Sequence, residues 1–333
     1  MSELNQAPIS TRPIPRIAPS DSEVLHRDYR ARGLPVIITR GAAGWKACAW
    51  TFEGLRKQIG DARVRASLDL PESAVPYDYP AREYERDLTV AEFMDHLAAA
   101  PTRASYIHQV PLRDFSGLEA DVDFQSLLRP EDGPPLIESL WLGSANTHSG
   151  LHFDGEDNFF AQVVGTKRVF MVSPSDSDRV HPYFTDFGKS PIDVEGVLAG
   201  RVDLARYPRF SRATVYEATL EPGDVLFMPR MWWHHLHALT PSISVSHHRG
   251  ETFALSAYFR ILGSLGPRYW YTVARQFFVH GVFGRPSERP LYSQPGPGKL
   301  LYDYVRLRVQ HAASRTGRPW WSQDEPKSGD MPR

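Results

Sequence analysis

Between Leu140 and His247 the chain falls into short β-like runs: Leu140–Leu142, Gly150–Asp154, Asn158–Val164, Arg168–Val172, Val215–Leu220, Val225–Met228, Trp233–Leu239 and Ser242–His247. Gly143, Gly155, Gly165 and Pro222-Gly223 punctuate them. Strands of this length between turn residues commit this half of the chain to a β architecture. The 28 prolines and 24 glycines among 333 residues add the expectation of many loops. That length suits one large β-rich domain or two smaller ones.

The flanks read differently. Pro35 to Thr39 is a buried strand between Gly33 and Gly41, after a short helix over Ser22 to Ala31. Thr51 caps a helix that Gly60 stops, and Thr89 with Glu92 forms a capping box for a helix through Phe93 and Leu97. Val64 to Leu68 and Tyr106 to Val110 are further strands, while Pro71 to Arg82 and Asp114 to Asp132 are turn-rich. Residues 175 to 212 form a long irregular insertion, of the kind that serves as a functional loop or lid. Beyond Gly250, Val273 with Phe277, and Leu301 with Tyr304, Val305 and Val309, have helical spacing, giving two helices around a Gly/Pro-rich link. The division expected is a flexible arm over 1–20, a catalytic domain over 21–260 and a helical segment over 261–333, with Trp320-Trp321 as an anchored tail.

The formal charge of −1 argues against a general nucleic-acid binder. One cysteine, Cys48, excludes an intrachain disulfide and a thiol-built zinc site, and suits a reducing cytoplasm. No apolar run has the length of a signal peptide or a membrane span. The expected protein is soluble and makes no membrane contact.

Chemistry concentrates in His152-Phe153-Asp154 and Trp232-Trp233-His234-His235. Residues i and i+2 of a strand share a face, so His152 and Asp154 can offer an imidazole and a carboxylate to one point. A nitrogen from His234 would complete a two-histidine, one-carboxylate triad with open positions, the geometry of non-haem Fe(II) oxygenases.

His-x-Asp alone is a weak pattern, and its setting gives it weight. Asn158-Phe159-Phe160, Gly165-Thr166-Lys167-Arg168-Val169-Phe170-Met171-Val172-Ser173-Pro174 and Pro222-Gly223-Asp224 surround it, and Gly33-Leu34-Pro35-Val36-Ile37-Ile38 with Trp45 stands at the N-terminal side. Together these blocks resemble the cupin-like JmjC hydroxylases, and within them the asparaginyl-hydroxylase type that inhibits hypoxia-inducible factor. The likeness spans most of the chain. It implies a double-stranded β-helix of the cupin or jelly-roll kind, mainly β with flanking helices and a C-terminal helical segment. It also implies Fe(II) as cofactor, 2-oxoglutarate and O2 as co-substrates, and hydroxylation of a C–H bond, with the β-carbon of Asn, Asp or His on a peptide or protein favoured.

Carried over by residue, the resemblance makes His152, Asp154 and His234 the metal ligands and Lys167 the partner of the distal carboxylate of 2-oxoglutarate. Tyr106 and Ser149 serve the same carboxylate, with Thr147 in place of Ser149 if the loop register shifts. Asn158 lies near the metal-binding end of the co-substrate. His235 and His237 fall on the opposite strand face from His234 and read as structural. The pattern departs at Ser246-His247-His248, where the family type has an asparagine and then aromatics. Ser246 reaches less far than an amide, and the two imidazoles face substrate or fill core. That departure motivates the alternative of a non-catalytic cupin-like scaffold; hydroxylation of a small molecule or natural-product peptide is a further alternative, and a cupin isomerase fits Lys167 and Asp154 worst. The resemblance also suggests a homodimer through the C-terminal helices.

Overall fold

The computed structural model describes residues 9–132, 135–250, 255–293 and 295–313. Fifteen strands are described: β1 (Ser10–Pro13), β2 (Arg16–Ile17), β3 (Val36–Ile38), β4 (Arg63–Ser67), β5 (Glu85–Thr89), β6 (Tyr106–Pro111), β7 (Ile137–Gly143), β8 (Leu151–His152), β9 (Asp157–Val164), β10 (Lys167–Val172), β11 (Lys189–Ser190), β12 (Thr214–Leu220), β13 (Val225–Met228), β14 (Trp233–Ala238) and β15 (Ser242–Arg249). They make a six-stranded sheet in the order β1-β12-β10-β14-β8-β11 and a nine-stranded sheet in the order β2-β3-β13-β9-β15-β7-β6-β4-β5. From β7 to β10 and again from β12 to β15 the chain alternates between the sheets, which is the jelly-roll pattern that the family resemblance implies.

Each sheet is covered on both faces. Val169, Met171, Leu220 and Leu236 of the smaller sheet meet Ile37, Phe160, Leu226 and Met228 of the larger in the space between them. The outer face of the larger sheet packs Val36, Leu142, Phe159 and Phe227 against Trp45, Leu55, Phe93 and Phe124. On the outer face of the smaller sheet, Phe170, Val172 and Trp233 meet Val180, Ile192, Val197 and Phe210. A strand apolar on both faces reads as a continuous hydrophobic run, hence Val-Phe-Met-Val in β10 and Val-Leu-Phe-Met in β13. Each large side chain so buried contributes about 1.5–3 kcal/mol.

The helices α1 (Ser22–Val24), α2 (Phe52–Ile59), α3 (Ala81–Tyr84), α4 (Val90–Ala98), α5 (Val194–Leu198), α6 (Leu255–Leu265), α7 (Pro267–Gln276) and α8 (Pro297–Ala313) flank the sheets. The caps act as the sequence suggests: Thr51 Oγ1 accepts from Gly54 N, and Thr89 and Glu92 close a capping box.

Several elements depart from expectation. Residues 10–17, expected within a flexible arm, supply the edge strands β1 and β2, with Ile14 buried between the sheets; two strands this short leave no periodic signal. The strand β5, Glu-Arg-Asp-Leu-Thr, is an exposed edge whose charge hides its β character and guards it against further pairing. The 175–212 insertion is less a lid than a cover for the smaller sheet, and its β11 pairs with β8. The C-terminal helices share a core with the barrel, since Tyr258, Ile261, Leu262, Tyr269 and Val273 pack with Phe187 and Met231. Trp320-Trp321 lies outside the described residues.

Candidate active site

The triad assembles where three inner-face positions of the smaller sheet meet. His152 of β8 and His234 of β14 are direct cross-strand partners, and Met171 of β10 continues the row. Partners across an antiparallel pair project to the same face, so the two rings stand 4.2 Å apart. Asp154 follows on the loop after β8; its Oδ2 is 3.5 Å from His234 Nε2. One ligand atom from each of His152, Asp154 and His234 lies within 4.8 Å of the others, and no other such group of three occurs among the described residues.

The outer nitrogens settle the tautomers. His152 Nδ1 is 3.0 Å from Gly150 O and His234 Nδ1 is 2.9 Å from Trp232 O. A carbonyl only accepts, so each Nδ1 carries the proton and each Nε2 keeps a lone pair for a cation, which is how ligating histidines are held. Burial, then the neighbouring His234, brings the His152 pKa down to about 4, so it is neutral at pH 7. Burial alone would raise Asp154, but His152 and His234, with His248 and Lys189 beyond them, outweigh it and hold the carboxylate ionised. A divalent cation fits this donor set.

The loops are pinned to keep the three together. Met231 N donates to Asp154 O at 2.8 Å and Arg230 N to Asp157 Oδ1 at 2.8 Å, stapling the His-x-Asp loop to the turn before His234. Gly150 takes φ +70, and a Cβ there would stand 2.6 Å from the Tyr77 ring. Tyr77 in turn donates to Ser149 O at 2.6 Å.

Farther along the inner face, Lys167 is 2 % exposed and has no carboxylate within ion-pair distance among the described residues. Its Nζ is 3.4 Å from Tyr106 Oη and 5.4 and 5.2 Å from the Tyr106 and Phe160 ring centres. Burial lowers its pKa to about 7. A buried ammonium without a counter-ion is costly and suits an anionic ligand.

Asn158 and His248, cross-strand partners on β9 and β15, are both buried, and Asn158 Oδ1 and His248 Nε2 have no hydrogen-bond partner. Burial lowers the His248 pKa, with Asp154 acting in the opposite direction. The two imidazoles of the departing motif therefore separate. His248 shares the inner face with Asn158, whereas His247 lies outside, with Nδ1 2.7 Å from Glu138 Oε1 and its ring against Phe124. Ser246 Oγ accepts from the Trp141 indole at 2.8 Å.

Ser149 is tied to the backbone. Its hydroxyl accepts from Leu236 N at 3.0 Å and donates to Gly150 O at 3.2 Å, so its proton is committed to the backbone. The buried Thr147 brings its methyl beside Gly143, where the Tyr106 ring also packs. His235 and His237 point away from the triad: His235 Nε2 is 3.0 Å from His148 Nδ1, and His237 Nδ1 is 2.7 Å from Glu195 Oε2.

Sequence reasoning missed Lys189, whose strand β11 pairs it with His152 and whose Nζ is 3.0 Å from Asp186 Oδ2. It missed Glu156 as well, where burial and then Asp154 push the carboxyl up to about 8. No local pattern marks either. A cavity of about 330 Å³ at the β4–β5 edge, lined by Arg65, Arg82, Glu85, Asp87, Glu288 and Arg289, is not this site, and its charges pair with one another.

Comparison with known proteins agrees with the geometry. Residues 21–259 match the family described as a cupin-like domain. The chain is 27% identical over 260 residues to Jumonji C domain-containing protein 5 of Drosophila melanogaster, covering 73% of this chain and 64% of that protein. It is 31% identical over 247 residues to Lysine-specific demethylase 8 of Danio rerio, covering 71% and 58%. It is 29% identical over 252 residues to tRNA wybutosine-synthesizing protein 5 of the same fish, covering 70% and 74%. The chain thus spans less than two thirds of the length of the first two relatives.

Proposed function

The chain belongs to the cupin-like, JmjC-type family, and from that premise we propose that it is an Fe(II)- and 2-oxoglutarate-dependent dioxygenase hydroxylating a C–H bond of a peptide or protein side chain. The observation that carries the reading is the convergence of His152, Asp154 and His234 with both Nε2 lone pairs released by backbone-held Nδ1 protons. When bound, iron with 2-oxoglutarate and O2 supplies the oxidising chemistry, one oxygen atom going into the C–H bond and the other into succinate as CO2 leaves.

The chain's own residues do the rest. His152, Asp154 and His234 would hold the cation, each supplying one ligand atom. Lys167 neutralises the distal carboxylate of the co-substrate, with Tyr106 as a second donor and Ser149 or Thr147 as a further hydroxyl. Asn158 and His248 offer the unpaired polar atoms beside the metal end. Ser246 accepts from the Trp141 indole and keeps its own proton to donate to the co-substrate. The apolar layer around Val169, Met171 and Leu236 excludes water, which strengthens every charge interaction inside.

The relatives' names range over lysine demethylation and tRNA modification. A β-carbon of Asn, Asp or His as the target rests on the motif likeness to the asparaginyl hydroxylase type. The reading is tested by following O2- and Fe(II)-dependent conversion of 2-oxoglutarate to succinate by the purified protein, and by mass spectrometry of candidate peptides for one added oxygen. Absence of iron binding, co-substrate binding and uncoupled turnover would refute it and leave a binding scaffold.

A homodimer through the C-terminal helices is part of the proposal. Phe259, Trp270, Tyr271, Phe278 and Phe283 are exposed there, a larger apolar display than isolated surface residues make. Light scattering that finds only monomer at high concentration would remove it. No helix among the described residues is long and apolar enough to cross a membrane, and with one free thiol, Cys48, a cytoplasmic setting is proposed.

A further inference from the structure

The stretch between α7 and α8 reads in the sequence as a plain Gly/Pro-rich link, yet its residues 289–293 are laced as a strap along residues 79–81. Arg289 O accepts from Ala81 N at 3.0 Å, Pro290 bridges Pro80, and Leu291 N donates to Tyr79 O at 2.8 Å. Leu291 is fully buried against Leu70 and Tyr106. Tyr292 then takes φ +55, a left-handed conformation that a bulky side chain adopts only where its surroundings enforce it. That turn carries its ring onto His108, at 4.4 Å, and beside Tyr106, at 6.1 Å. Ser293 Oγ accepts from Lys189 Nζ at 2.6 Å, and Lys189 is paired with His152. Three consecutive residues therefore touch both ends of the site, Tyr106 next to the Lys167 ammonium and the strand next to the metal ligand.

We propose that Tyr292 is a specificity-determining residue, its ring closing the pocket beside Tyr106 so that only a short dicarboxylic 2-oxo acid fits between the Lys167 ammonium and the metal cluster. This rests on the reading of the site as a 2-oxo acid pocket. Lys167, His152 and His234 are fixed on strands of one sheet, so an acid one methylene longer, pinned at both ends, must bow sideways. The strap is the wall it meets, held from outside by Tyr79 and Ala81 and from inside by Leu291. Excluding one methylene by shape is worth about 10–200-fold in affinity.

The test measures binding of 2-oxoglutarate and of 2-oxoadipate, its six-carbon homologue, by calorimetry on the Mn(II)-loaded full chain without O2. The wild type is expected to prefer the five-carbon acid by about tenfold or more. Tyr292→Gly, which removes the ring and suits the left-handed backbone, is expected to reduce that preference below about threefold with Mn(II) affinity unchanged. Tyr292→Asn, which also tolerates that conformation, is the second variant. An unchanged preference in either folded variant overturns the proposal, as does a wild type that binds both acids equally. A wild type that binds Mn(II) but neither acid overturns it together with the reading beneath it. Should both variants unfold, a crystal structure of the wild type with 2-oxoglutarate decides: a Tyr292 ring within about 4 Å of the acid's methylenes supports the assignment, and a ring out of contact sinks it.

Discussion

Lys167→Met is expected to make the protein more stable and unable to bind its co-substrate. Burial brings the lysine from 10.5 to about 7, and at about 1.4 kcal/mol per tenfold change in proton affinity the buried ammonium costs about 4–5 kcal/mol. Its contacts with Tyr106 and Phe160 offset about 1–2 kcal/mol of that. Methionine keeps the stem and loses the charge, so urea unfolding at pH 7 should show a net gain of about 2–4 kcal/mol. The pH dependence carries a sign that packing alone cannot mimic. The folded pKa is the lower of the two, so the unfolded chain binds more protons between about pH 7 and 10.5, and wild-type stability gains from this group as pH rises through that window. Below pH 7 the penalty is present in full. The difference between variant and wild type should therefore shrink by up to about 1.4 kcal/mol per pH unit above pH 7. Calorimetry should find 2-oxoglutarate binding weakened at least about 100-fold, the range for removing one partner of a buried charge pair. A variant less stable than the wild type at pH 7, or one that binds the acid within threefold, would refute the argument that Lys167 waits unpaired for an anion.

His152→Ala, Asp154→Ala and His234→Ala should each lower Fe(II) affinity by at least about 100-fold in an anaerobic titration, since loss of even an outer-shell partner costs about 10–100-fold; retention of iron by any one would remove that residue from the ligand set. Gly150→Ala places a Cβ 2.6 Å from the Tyr77 ring at φ +70. It should cost about 1–3 kcal/mol in urea unfolding and weaken metal binding together, because Gly150 O holds the His152 tautomer. Thr89→Ala removes the cap of α4 far from the site and should cost about 1 kcal/mol while leaving metal affinity unchanged; a change in affinity would show that the α4 layer and the barrel are coupled.

Parts of the site were legible because they are local. His152 and Asp154 sit two apart, Lys167 opens a strand bounded by Gly165, and His234 follows two tryptophans; these are spacing and register facts that a linear reading can hold. The capping box at Thr89 is similarly self-contained, its two hydrogen bonds lying within four residues. Ser149 has a partner that only the fold supplies, since Leu236, 87 positions away, donates to its oxygen. His247 and His248, adjacent in sequence and identical in type, differ because a strand sends neighbours to opposite faces, and only the pairing of β15 with β9 says which of them shares the inner face with Asn158.

The linear order of residues thus determined the alternation of strands and turns, the ligand types and the presence of one lysine suited to an acid, all consequences of periods two and 3.6 and of side-chain chemistry. What the tertiary structure decided is which of these meet. Lys189 beside His152, Tyr292 beside Tyr106 and the edge strands drawn from the first seventeen residues depend on long-range packing, where the burial that fixes a position is supplied by partners from some twenty to two hundred residues away. No window of sequence contains both halves of such a contact, so none can announce it.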